Sequence, residues 1–196
     1  LIAMFSKENA ITFLAIFPLV GFFFSKKPLS KTLLSSAVFL IPVILYLIVR
    51  YNVIGDMVSA KEAPLLDNVL VAANSGIDKF ATAILFLGKY LKTLVLPHPL
   101  GSDFGYNQIP VTSFADWRVI LSFLVHAGLL AYAFIKLKSK SVFSFAILVY
   151  FITFSIFSNI FITIGSSYGD RFLYAACLGF ALALIYGLMK LLKVKE

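Results

Sequence analysis

Three short runs hold most of the residues able to do chemistry. "SKEN" spans Ser6 to Asn9, "HPLGSD" spans His98 to Asp103, and "SSYGDRFLY" spans Ser166 to Tyr174. Lys7 stands beside Glu8, and Asp170 beside Arg171. At a membrane surface, Lys and Arg suit phosphate groups, Arg through a rigid fork of donors. Asp or Glu can orient or deprotonate a hydroxyl. A lipid-linked phosphosugar presents that pairing, a phosphate to hold and a sugar to transfer.

Each residue also has a plainer reading. Lys7 can snorkel to the headgroups while Glu8 serves as a first-turn acid favoured by the helix dipole. Asp170 can start a helix, with Arg171 binding headgroups. His98 lies between Pro97 and Pro99 with no second histidine nearby, which suits a structural or hydrogen-bonding role better than metal ligation. Asp103 can cap a turn, and Asp116 before "WRVILSF" reads as an N-cap. His126 lies mid-span and is expected to be buried against another helix. Cys177, the single cysteine, sits in an apolar run as a packing residue and excludes an internal disulfide. The chain has no Walker loop, CxxC pair, HExxH or GxSxG, and no metal site is expected.

The elements that must position these residues are apolar helices. Of 196 residues, 61% are hydrophobic, and the mean hydropathy is +0.97. Soluble domains run about 45–50% apolar, so this is a membrane composition. Five segments are long, apolar and nearly uncharged: about 9–25, 31–49, 119–135, 142–164 and 172–189. Each approaches the ~20 residues that cross a bilayer as a helix. The expected fold is an all-α integral membrane protein, read as a single membrane-domain fragment over 1–196.

Charge sets the orientation. Lys26, Lys27 and Lys31, then Lys136, Lys138 and Lys140, then Lys190, Lys193 and Lys195 all fall on one side of these spans. The positive-inside rule makes that side cytoplasmic. The other side balances eight basic residues against eight acids, so the whole net charge of +8 is a topology signal and not a nucleic-acid footprint. A sixth apolar stretch, Phe80 to Pro97, would swap two lysine clusters outward if it crossed. It also carries Lys89 and Lys92. Its apolar residues recur at three- and four-residue spacing, which predicts an amphipathic interfacial or re-entrant helix over about 80–96. That helix, expected to begin near Asp67, belongs to a long outer loop, 51–116. If the helices bundle, the three polar runs meet in one outward cleft.

At these residues the sequence resembles a known family. "SKENAITF", "KYLKTLVLPHPLGSDFGYNQIP" with the following "DWR", and "GDRFLYAACLGF" resemble, in order, three signatures of the transmembrane-and-TPR-containing O-mannosyltransferase-like family, which are GT-C membrane glycosyltransferases. Gly105 stands where the family usually has Ser, and Asp170 where it usually has Glu. The resemblance implies the C-terminal part of a GT-C membrane domain from a bacterial relative, beginning after the loop that carries the family's essential acidic residue. The TPR repeats that follow the membrane part in the family are absent from this chain.

The implied reaction is inverting transfer of a sugar from a polyprenyl-phosphate donor to a hydroxyl, plausibly Ser or Thr of an exported protein, on the periplasmic side of the inner membrane. Lys7 and Arg171 are then the candidate phosphate contacts. Glu8, His98, Asp103, Tyr106, Asn107 and Asp170 are the candidates for shaping the cleft or binding sugar. The catalytic residue is not assigned; the lipid-linked donor is the substrate, no cofactor is assigned, and a divalent-metal requirement is left open. A transporter or lipid flippase, or a non-catalytic membrane scaffold, are the alternative classes.

Overall fold

The computed structural model describes residues 1–25, 28–55 and 64–193, and among them every regular element is helical. The topology reading rests in part on Lys26, Lys27 and Lys195, which lie outside the described residues, as do residues 56–63 of the expected outer loop. The chain divides into two units, Leu1–Lys61 and Glu62–Glu196.

In the first unit, α1 (Ile2–Ser6) is followed by a 3-10 turn, Glu8–Thr12, that runs into α2 (Phe13–Phe24). Then α3 (Leu29–Ser36) passes through a 3-10 turn, Ala37–Phe39, into α4 (Leu40–Ile54). Pro42 explains that turn. Lacking an N–H, it cannot bond the Val38 carbonyl four residues back, and the chain tightens there. Gly21 is the contact point of α2 and α3, because any Cβ on it would collide with the Thr32 methyl. Phe17 stacks on Phe39 at 4.1 Å, and Phe5 meets Tyr46 edge-on at 5.4 Å. The start of this unit therefore packs against the end of α4.

In the second unit, Asn68 caps a short 3-10 turn, Val69–Ala72. The helix expected at 80–96 is α5 (Gly76–Val95), and its N-cap is Ser75, not a residue near Asp67. Ser75 Oγ accepts from the Asp78 N–H at 3.1 Å and donates to the Asp78 carboxylate at 2.8 Å. That reciprocal pairing can form only where a carboxylate follows three residues on. α6 (Trp117–Ile135) is capped by Asp116 as expected, through the Arg118 N–H at 2.8 Å. The Arg118 side chain also grips this carboxylate and holds it down at about 2. α7 (Val142–Phe154) and α8 (Ala176–Leu191) complete the unit.

The expected span over 142–164 is shorter, with a 3-10 turn over Ser155–Phe157. Ser155 and Ser158 hydroxyls bond carbonyls three residues back, and Asn159 turns into the left-handed region at φ +57°. Such side chains compete with the helix for its own carbonyls. Likewise 172–189 begins as a 3-10 turn, Asp170–Leu173, and becomes α-helical only at Ala176.

Helix α7 is apolar on all sides and largely buried. Against α8 it packs backbone to backbone: a Cβ on Gly179 would lie 2.5 Å from the Ala146 carbonyl oxygen. Small residues at a contact let helices approach this closely. Polar side chains tie α6 to α7. Ser144 donates to the Ala133 carbonyl at 2.6 Å, and buried His126 lies 3.3 Å from the Tyr150 hydroxyl. The hydrogen bonds and ring contacts joining α5 to other elements fall on Thr112, Phe114, Ser122, Phe154, Tyr168 and Gly169. All belong to one end of the α6–α7–α8 bundle. The turn carrying Lys136, Lys138 and Lys140 lies at the other end.

Two helices are long and apolar enough to cross a membrane by length and composition, Ser30–Val53 and Trp117–Ile135. Three more apolar helices, Glu8–Phe24, Val142–Phe157 and Ala176–Leu191, are shorter.

Candidate functional site

Two of the three polar runs meet in the second unit. The segment leaving α5 and the segment entering α8 lie side by side and exchange backbone hydrogen bonds. Asp170 N–H donates to the Gly101 carbonyl at 3.0 Å, and Phe104 N–H to the Tyr168 carbonyl at 3.0 Å. Gly169 makes the approach possible, since a Cβ there would collide with the Ser102 carbonyl. The proline- and glycine-rich run is thus one wall of a paired-loop structure whose other wall is Ser166–Arg171.

Asp170 is consumed by this pairing. Its carboxylate accepts from the Gly101 N–H at 2.8 Å and from the Tyr168 hydroxyl at 3.2 Å. It therefore positions the loop instead of facing a ligand. Asp103 sits further out. One oxygen accepts from Ser166 Oγ at 2.8 Å, and the other pairs with Arg171 Nη2 at 2.9 Å. The Arg171 side chain remains 55% exposed, that of Asp103 42%. The guanidinium also lies 5.0 Å over the Phe172 ring. With five donors on the fork and one used by Asp103, Arg171 can grip a second anion from its open side.

An aromatic and amide scaffold holds both walls. Tyr168 stacks on Tyr90 at 4.2 Å and meets Phe104 edge-on at 4.9 Å. Buried Tyr90 accepts from the Gly169 N–H at 3.0 Å. Burial pushes the Tyr168 phenol up to about 12. Beneath lies a buried amide pair. Asn68 donates to Asn159 Oδ1 at 3.1 Å and to the Ile164 carbonyl at 2.8 Å, while Asn159 donates to the Ser166 and Ser167 carbonyls. A backbone with no helix of its own thereby has its polar groups satisfied, as burial demands.

The remaining sequence candidates of this unit lie apart from that pair. His98 is exposed, and among the described residues its imidazole makes no hydrogen bond. Tyr106 and Asn107 occupy an exposed turn, with Asn107 at φ +62°.

Lys7 and Glu8 belong to the first unit and build their own cleft of about 590 Å³. There Glu8 forms an ion pair with Arg50, which also donates to the Tyr46 hydroxyl at 2.8 Å. Lys7 lines the same cleft. Among the described residues Arg50 Nε is buried without a hydrogen-bond partner, a group worth about 1–3 kcal/mol when left unpaired.

Arg50, Tyr90, Tyr168, Asn68 and Asn159 were not singled out from sequence. Arg50 carries a readable signal, a lone cation ending an apolar run. The tyrosines and asparagines carry none, because their roles depend on partners some 80 to 90 residues away. Comparison of the chain with known protein families, characterised proteins and solved structures gives no match.

Proposed function

We propose that this chain is one part of the membrane domain of a glycosyltransferase that moves a sugar from a polyprenyl-phosphate donor to a hydroxyl of an exported protein. The observation that carries the reading is the Asp103–Arg171 pair, half-exposed at 2.9 Å on two loops that the fold takes trouble to pair. It lies at the end of the α6–α7–α8 bundle opposite Lys136, Lys138 and Lys140, as an outward-facing site requires under the positive-inside rule. A membrane setting is supported by the uncovered apolar side chains of α4, α6 and α8, including Ile41, Ile44, Leu124, Phe134 and Ile185. So many exposed apolar groups do not suit water. The setting that fits is a bacterial inner membrane, with the site on its periplasmic side.

In this reading Arg171 takes the donor phosphate, and Asp103 holds the guanidinium while leaving its open edge to the ligand. The glycosyl–phosphate bond breaks as the acceptor oxygen bonds the anomeric carbon from the opposite face. Negative charge gathers on the departing lipid phosphate, where a fixed cation lowers the barrier most. The acceptor's proton passes to a carboxylate other than Asp103 and Asp170, both of which are engaged. Asp170 positions the loop.

The test is transfer from a radiolabelled polyprenyl-phosphate sugar to endogenous protein, using the full-length protein in membranes. Arg171→Ala and Asp103→Ala should each lower transfer by a factor on the order of 100 at unchanged protein level. Equal transfer in wild type and both variants would remove the site assignment.

A further inference from the structure

A second cavity lies between α5 and α6, on residues that the transfer site does not use. It has a volume of about 500 Å³ and is lined by Leu91, Val95, Leu121 and Val125 together with Lys89, Lys92, Arg118 and Trp117. Gly88 brings the two helices together here, since a Cβ on it would lie 2.8 Å from Ser122.

The charges are unbalanced. Arg118 is satisfied by Asp116, at 2.6 Å through Nη2 and 3.0 Å through Nε. Lys89 and Lys92 stand one turn apart on the same helix face and, among the described residues, form no ion pair. His126, also on the lining, is engaged with Ser122 and Tyr150. Burial lowers the Lys89 ammonium, and the charges of Arg118 and Lys92 lower it further. A half-buried ammonium flanked by Lys92 and Arg118 lacks, among the described residues, an anion of its own to offset its desolvation.

We infer that this groove binds the phosphodiester headgroup of an anionic bilayer phospholipid, with Lys89 and Lys92 on the phosphate and the acyl chain entering along Leu91, Val95, Leu121 and Val125. The groove opens onto the uncovered apolar face of α6, where Leu121 and Leu124 are exposed. A lipid arriving from the surrounding bilayer meets that face first. Trp117 sits where tryptophan favours the membrane–water interface. The inference rests on the membrane reading of α6 and not on sugar transfer, so loss of the transfer reading leaves it standing.

Trp117 is the single tryptophan of the chain and reports on the groove directly. The full chain is reconstituted in phosphatidylcholine nanodiscs containing a small fraction of acyl-brominated lipid, and quenching of its fluorescence is read. Brominated phosphatidylglycerol should quench with an apparent affinity on the order of tenfold above brominated phosphatidylcholine. The preference should vanish in Lys89→Gln/Lys92→Gln and persist in Lys138→Gln. Equal quenching by the two lipids in wild type overturns the inference without recourse to any variant. So does preferential displacement of the quencher by a polyprenyl monophosphate over unbrominated phosphatidylglycerol, which would make the groove a carrier site.

Discussion

At the scale of single residues, the site depends on one hydrogen atom at Gly169. Substitution by Ala sets a methyl against the Ser102 carbonyl, which is backbone and cannot rotate away. Gly169→Ala should therefore part the two loops, lower stability by about 1–3 kcal/mol and abolish transfer, as thermal unfolding in detergent and the transfer assay would read. Tyr168 gives a pH prediction. Its phenol titrates near 10 when unfolded and near 12 in the fold, so the folded state holds the proton more tightly. Its contribution is complete below pH about 10 and is lost as pH rises through about 12. Alkaline unfolding of wild type should show a component over that window that Tyr168→Phe lacks. Arg50 is the residue that changes the reading of the first unit most, because it gives Glu8 a partner that the sequence order conceals.

At the scale of elements, the helices were readable because their signals are local. Apolar runs marked the helices, and three- and four-residue spacing marked α5 to within a few residues. The ends were less readable. Ser75 and Asp78 outcompete a residue near Asp67 for the start of α5 through a pairing three residues long. Ser155, Ser158 and Asn159 shorten α7 despite an apolar sequence that continues past them. Asp103, Asp170 and Arg171 were legible as candidates, but not that Asp170 would be spent on the Gly101 amide. That division needed the pairing of loops about 65 residues apart, which no local pattern encodes. The α7–α8 contact supplies a discriminating pair of variants. Gly179→Ala pushes into the Ala146 carbonyl and should lower the unfolding temperature, at a cost of about 1–3 kcal/mol. Gly187→Ala meets only the Phe143 ring at ordinary distance and gains helix propensity, so its unfolding temperature should hold or rise.

At the scale of the molecule, the second unit predicts opposite faces. In a Cys177→Ala background, Ser139→Cys in the α6–α7 turn and Ser113→Cys ahead of α6 should react with an impermeant thiol reagent from opposite sides of sealed vesicles. Reaction of both from the same side would remove the membrane-spanning reading of α6. The pairing of Gly101–Phe104 with Tyr168–Asp170 also imposes an order of synthesis. Asp103 leaves the ribosome long before Ser166 and Arg171, and α6 and α7 must follow before its partners exist. Until then the Gly101–Phe104 segment of the loop after α5 lacks the backbone partners it pairs with, although Thr112 and Phe114 already meet α5. A nascent chain stalled after α7 should carry that loop open to protease, and translation through α8 should close it. The two loops can pair only once the segment entering α8 has been made.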